Sequence, residues 1–204
     1  MKPKFAVLVD GGFIAKVLKS KLNRLATADD VVAECDRIVS HPDFVDHDLL
    51  RIYFYDAPPA SGVYQNPLDK SQTNLGTSKI HSHYSRLLDT LELKPNFALR
   101  LGETMVRGWK MGDAAFKDMT ENQRPVVAKD LVPNIEQKGV DLRIGLDIAR
   151  LSLKDLVSAI VIITGDSDLV PAFKFARREG VRIYLDHLSS NVRRELTAHA
   201  DIIL

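Results

Sequence analysis

The chain has 204 residues, 45% of them hydrophobic and 27% charged, with a single cysteine. That composition excludes a disordered or fibrous chain, and Cys35 alone excludes both a disulfide framework and a cysteine-based zinc site. With 28 basic against 27 acidic side chains the net charge is +1, which excludes a global pull towards nucleic acid or membrane and leaves such partners to local patches.

A chain of this size buries roughly 70% of its unfolded surface, so one domain over residues 1–204 is expected. Phe5 to Val9 is a continuous apolar, β-rich run ending in Asp10-Gly11-Gly12, the pattern of a strand buried on both faces and running into a glycine turn. The run is too short for a signal-peptide core or a bilayer span. A cytoplasmic protein without a membrane partner follows as an expectation.

Helical segments follow at Phe13 to Leu22 and Asp29 to Val39, the second opened by Thr27, Asp29 and Asp30 as candidate caps. Leu49 to Tyr55 reads as the next strand, stopped by Asp56-Ala57-Pro58-Pro59. Residues 58–78 are polar and aperiodic, a long loop for a compact domain. A helix is expected over Lys79 to Leu93 and a strand over Phe97 to Val106, with residues 102–124 forming a second polar insertion that is irregular from Arg107. Lys138 to Asp147 looks like the entry to a helix ending near Leu153. Strands are then expected at Ala159 to Thr164 and Val181 to Leu185, with helices at Leu169 to Glu179 and Asn191 to His199, and Asp201 to Leu204 as a short terminal strand. Alternating strands and helices, with apolar runs for strands, predict an α/β sandwich with a mostly parallel sheet flanked by helices. In such folds ligands sit beyond the carboxyl ends of the strands, at a switch in strand order.

Acids gather at those ends. Asp10 closes the first strand, and Asp166 and Asp168 lie in Thr164-Gly165-Asp166-Ser167-Asp168 after a later one. Asp56 and Asp186 close two more strands. Asp141 and Asp147 are six residues apart, about 240° of helical azimuth, so they share a rim only if Asp141 sits before the helix begins. Clustered carboxylates raise one another's pKa, and a divalent cation removes that cost. Oxygen donors without His or Cys select Mg²⁺ or Mn²⁺ over zinc. Taken singly, each acid has a plainer role: Asp10 as a turn residue, Asp168 or Asp141 as a helix cap, and Asp147 on a solvated face or paired with Arg143 or Arg150.

In order and spacing, Val9-Asp10-Gly11-Gly12, Lys138-Gly139-Val140-Asp141 with Asp147, and Thr164-Gly165-Asp166-Ser167-Asp168 with Pro171 resemble the NYN family, in its LabA-like branch of the PIN-like metal-dependent nucleases. The resemblance implies a PIN-like three-layer sandwich in which Asp10, Asp141, Asp147, Asp166 and Asp168 hold Mg²⁺ or Mn²⁺ and catalyse RNA hydrolysis to 5′-phosphate and 3′-hydroxyl ends. Many members carry an Asn just after the first Asp-Gly; this chain has Gly12-Phe13-Ile14. Lys138 matches a recurrent basic residue of the motif and is expected to meet substrate phosphate.

An RNA substrate, single-stranded in this reading, calls for positive charge beside the acids. Lys174, Arg177, Arg178 and Arg182 cluster in the last strand-helix unit, Arg193 and Arg194 follow, and Arg107 and Lys110 flank Trp109. Of these, Arg177, Arg178, Arg193 and Arg194, with Ser167 and Lys138, are the expected substrate contacts. Trp109 either stacks a base or closes a small satellite core with Met105, Met111 and Phe116. Self-association stays open. A haloacid-dehalogenase-like phosphatase would need an acid at position 12, which is glycine, and Asp10-Gly11-Gly12-Phe13 is too short a fragment of a dinucleotide-binding loop. The rival from a different class is a non-catalytic RNA-binding scaffold that keeps the fold.

Overall fold

The computed structural model of the protein describes residues 2–204. Its strands and helices are β1 (Lys4–Asp10), α1 (Gly11–Leu22), α2 (Ala28–Val39), β2 (Asp48–Asp56), β3 (Val63–Gln65), β4 (Gln72–Asn74), α3 (Lys79–Glu92), β5 (Phe97–Leu101), β6 (Glu103–Met111), α4 (Asp113–Asn122), β7 (Leu131–Lys138), α5 (Val140–Leu153), β8 (Ala159–Ile163), α6 (Val170–Arg178), β9 (Arg182–Asp186), α7 (Arg194–Ala198) and β10 (Ile202–Ile203). Within the stretch read as one domain, the chain gathers into two compact units. One comprises the residues up to Asp56, Leu87–Gly102 and Gly139–Leu204; the other comprises Ala57–Arg86 and Glu103–Lys138.

The first unit is the expected α/β sandwich. Its sheet has six strands in the order β10-β9-β8-β1-β2-β5, and every pairing in it is parallel. The side-chain period of two sorts each central strand between two apolar layers. Phe5, Val7 and Val9 of β1, with Val161 and Ile163 of β8, pack in one core with Ile14 and Leu18 of α1, Cys35 and Ile38 of α2, and Leu91 of α3. The alternate residues Leu8, Ile160 and Ile162 are equally buried, on the face that α5 and α6 cover with Ile144, Ile148 and Phe173. The continuous apolar runs in the sequence are therefore strands covered on both sides. α2 starts on a reciprocal cap, Thr27 accepting from the Asp30 backbone while the Asp30 carboxylate accepts from the Thr27 N–H.

The strand order dictates where a ligand site can form. From β1 the chain proceeds outward to β2 and β5, then returns to place β8, β9 and β10 on the opposite side. The switch point lies between β1 and β8, whose carboxyl ends carry Asp10 and the Thr164–Asp168 turn.

The second unit corrects the reading of residues 58–78 as a loop and of 107–124 as irregular. β3 and β4 form an antiparallel hairpin, and β6 pairs with β7 over most of their lengths. Residues 107–111 are strand and 113–122 helix. These elements escape an apolar-run reading because they are largely exposed, β3 and β4 are only three residues each, and β7 carries Pro133, which a two-stranded ribbon tolerates. Buried Asn66 ties this unit together, its Nδ2 donating to the Ala128 carbonyl at 2.9 Å while its Oδ1 accepts from the Leu68 N–H at 3.0 Å. The satellite core proposed around Trp109 does not form as expected, since Phe116 is 64% exposed and Met105 41%. Among the described residues no helix is long and apolar enough to cross a membrane.

Candidate functional site

Asp10 is both the last residue of β1 and the cap of α1, accepting from the Phe13 N–H at 3.0 Å. Its second carboxylate oxygen accepts from the Thr164 hydroxyl at 3.0 Å. The two strands meet in register, Val9 beside Ile163, so the residues after them face each other across the switch point. Gly11 permits the tight passage into α1: a Cβ there would lie 2.6 Å from the Tyr55 carbonyl oxygen and 2.9 Å from an Asp56 carboxylate oxygen. No other residue fits that approach without moving backbone.

The turn after β8 is built from its own side chains. The Asp166 N–H donates to Thr164 Oγ1 at 3.1 Å, and the Asp168 N–H donates to the Asp166 carboxylate at 2.9 Å. Asp166 thus caps the short 3-10 turn Ser167–Leu169 that leads into α6, with Pro171 in the first turn of that helix. The cap expected of Asp168 belongs to Asp166.

Four of the acids influence one another electrostatically. Burial pushes the Asp10 carboxyl above the usual carboxylate range, against hydrogen bonds from Phe13 and Thr164, and the charges of Asp141 and Asp166 push it the same way. Asp141 is also raised, by burial first and then by Asp166 and Asp168. Asp10, Asp141, Asp166 and Asp168 therefore share one field at the switch point. As they stand, no three His, Cys, Asp or Glu side chains among the described residues are gathered tightly enough to hold a metal ion.

Asp147 stands apart. α5 begins at Val140, with Gly139 at φ +73° as its cap, so Asp141 lies in the first helical turn and not in a non-helical approach. The angle of about 240° between them then applies, and Asp147 faces β2 and β5. Its carboxylate accepts from the Tyr55 hydroxyl at 3.0 Å and from Arg100 Nε at 3.1 Å, neither of which is the Arg143 or Arg150 partner expected from sequence. Burial and the Asp147 charge push the Tyr55 phenol well above its ordinary pKa, so it stays a donor. Of the other strand-end acids, Asp186 is buried, pairs with Arg37, and accepts from the Leu188 N–H at 2.8 Å. Thr164, Tyr55 and Arg100 were not legible as site residues, because a hydroxyl or a cation inside an apolar strand carries no pattern of its own.

The expected substrate contacts divide. Arg193 Nη1 donates to Ser167 Oγ at 3.2 Å, which places a cation on the acidic rim, and exposed Arg194 follows at the start of α7. Lys138 ends β7 in the other unit, where it pairs with Glu136 at 2.9 Å. Arg177 and Arg178 are not beside the acids. α6 runs away from the rim, and they occupy its last turn, about 12 Å along the axis from its start. There, with Lys174 and Arg182, they line a cleft of about 860 Å³ at the amino ends of β9 and β10, the end of the strands opposite the acids, Arg177 pairing with Asp201 at 2.8 Å. Sequence proximity to the motif gave no direction for the helix.

Comparison with known proteins agrees with this architecture. The NYN domain family matches residues 4–202. A crystal structure of VPA0982, a protein of unknown function from Vibrio parahaemolyticus RIMD 2210633, superposes with a TM-score of 0.56 at 14% identity, covering 100% of this chain and 92% of that one. At that identity the likeness shows the fold alone. No curated protein matches the chain. With nearly its whole length matched, the chain belongs to the NYN domain family.

Proposed function

We propose that the protein is a divalent-metal-dependent ribonuclease of the LabA-like branch, acting on single-stranded RNA at the switch point between β1 and β8. The observation that carries this reading is the shared field of Asp10, Asp141, Asp166 and Asp168, two of which are held above the usual carboxylate range by burial and by their neighbours. Such crowding is unfavourable unless a cation or proton relieves it. Membership of a nuclease-like family supports the same conclusion.

The donor set is all carboxylate, which suits Mg²⁺ or Mn²⁺. In this reading Asp10, Asp141, Asp166 and Asp168 hold the ion. When bound, it would supply Lewis-acid activation of a water and charge stabilisation at the scissile phosphate. The chain's own residues supply orientation. The Phe13 N–H and the Thr164 hydroxyl fix both oxygens of Asp10, and the Asp168 N–H fixes Asp166. Arg193, resting on Ser167, is placed to meet a phosphate oxygen and offset the negative rim. Asp147 acts as a positioning residue, tying α5 to Tyr55 and Arg100 and so holding the helix that presents Asp141.

A second reading, an RNA-binding scaffold without turnover, is favoured by one observation: among the described residues no three acids are gathered to metal-binding distance. Labelled single-stranded RNA incubated with Mn²⁺ or with chelator separates the two. The ribonuclease reading expects Mn²⁺-dependent products with 5′-phosphate ends. Binding without turnover in either condition would leave the scaffold.

A further inference from the structure

Beside the acidic rim, between α1 and the loop after β9, lies a groove of about 500 Å³ that no site residue named so far explains. We infer that it is a nucleotide subsite, taking one base and its flanking phosphates from a single RNA strand whose scissile bond lies at the acids. The inference rests on the ribonuclease reading for the identity of the strand, but its own observations concern the groove alone.

Phe13, Lys16, Ser20 and Lys21 form one wall, recurring on α1 at helical spacing, and Ser190 and Asn191 stand on the other. Two ammonium groups line it and, among the described residues, no carboxylate does. The groove is thus positive directly beside a negative rim. It joins that rim at two points. The Phe13 N–H is a donor to Asp10, and Gly165, between Thr164 and Asp166, forms part of the lining.

The phenyl ring is fixed by the absence of a side chain at Gly165, where a Cβ would lie 2.5 Å from Phe13 Cε2. Packed on one side and lining the groove on the other, the half-buried ring offers a flat apolar surface, the feature on which an unpaired base stacks without sequence preference. Hydroxyls and an amide opposite it supply donors and acceptors for base edges or a 2′-hydroxyl. The volume falls within the range of small-ligand sites.

The turn that begins the far wall is held by its own contacts. Leu188 and Ser189 both take left-handed backbone conformations, at φ +50° and +60°, which neither side chain favours. The turn is held because the Leu188 side chain is 4% exposed and its N–H donates to the Asp186 carboxylate at 2.8 Å. The Ser190 N–H closes it on the His187 carbonyl at 2.8 Å. A wall already formed loses little freedom when a ligand arrives.

The test measures affinity of the full chain for a fluorescent single-stranded RNA 12-mer in chelator, across a salt series. Lys16→Glu/Lys21→Glu should weaken binding at least tenfold and flatten the salt slope by roughly 1.4, two contacts at about 0.7 each. Phe13→Ala should weaken it about tenfold with no change of slope. The charge-matched Lys174→Glu/Arg178→Glu, at the end of the strands opposite the acids, should bind as the parent does. Equal losses from both double variants would reduce the effect to net charge and overturn the subsite, as would unchanged affinity in Lys16→Glu/Lys21→Glu or no RNA binding by the parent. Cleavage of the same 12-mer in Mn²⁺ is scored separately. Cleavage with a silent groove removes the subsite and keeps the ribonuclease, whereas groove-dependent binding without cleavage does the reverse.

Discussion

Asp10 combines a structural and a chemical role that pull in opposite directions. It caps α1 through the Phe13 N–H, yet it is half-buried within the field of Asp141 and Asp166 and holds its proton more tightly than an exposed acid. A folded-state pKa above the unfolded value means that folding takes up protons, so stability rises as pH falls through the folded pKa and is least where Asp10 is ionised. Asp10→Asn keeps an acceptor for the cap and removes the charge. We predict a higher melting temperature in chelator at neutral pH, with the gain over the parent shrinking as pH falls towards the usual carboxylate range, and loss of Mn²⁺-dependent cleavage. An Asn variant that melts lower in chelator and cleaves normally would make Asp10 a turn residue only. Asp147 should behave differently, because its partners are Tyr55 and Arg100. Tyr55→Phe removes one hydrogen bond at a cost of about 1 kcal/mol, and Asp147→Ala, which strands both donors, should cost about 1–3 kcal/mol. Urea unfolding in chelator reads these losses, with Mn²⁺ affinity expected to fall in Asp147→Ala, which releases the helix that presents Asp141, and to stay near the parent's in Tyr55→Phe, where Arg100 keeps the tie.

Among the elements, those covered on two faces are the ones legible in the sequence. Phe5 to Val9 and Ala159 to Ile163 read as buried parallel strands because every position is apolar, and both are. The acids at their ends were legible for the same reason, since a carboxylate closing an apolar run stands out. What could not be read was helical phase. Whether Asp141 and Asp147 share a rim depends on where α5 begins, and that is set by Gly139 at φ +73° and by Arg143, whose Nη1 donates to the Gly139 carbonyl at 2.8 Å. Strands β3, β4 and β7 and the second half of β6, beyond Val106, were not legible, because a two-stranded ribbon with exposed faces needs no apolar run. At the β1–α1 junction the requirement is steric. Gly11→Ala would press a methyl group against the Tyr55 carbonyl at 2.6 Å, and overpacking of this kind should cost about 1–3 kcal/mol, read as a lower urea midpoint at unchanged slope.

For the molecule as a whole, the two compact units differ in what holds them. The first has a layered apolar core on both sides of its sheet. The second relies on polar ties, chief among them Asp130, which Arg124 grips with both terminal nitrogens at 2.6 and 2.8 Å and which also accepts from the Val127 N–H. Those contacts hold the Asp130 pKa at about 2, the Arg124 hydrogen bonds contributing most. A depressed carboxylate contributes stability above its unfolded value and loses it as pH falls through the folded one. Amide exchange in β6 and β7 should therefore stay protected down to about pH 4 and rise between there and about pH 2. Protection that vanishes only at neutral pH, or not at all at pH 2, would assign the unit's stability to something other than this tie.

The acidic rim itself is tested most directly by calorimetric titration of Mn²⁺ into the metal-free protein and into Asp10→Asn/Asp166→Asn. The prediction is saturable binding to the parent, accompanied at 100 times the dissociation constant by about 2.7 kcal/mol of added stability, and no saturable binding to the variant. Identical isotherms, or none for the parent at millimolar Mn²⁺, would contradict the assignment of Asp10, Asp141, Asp166 and Asp168 to a metal site.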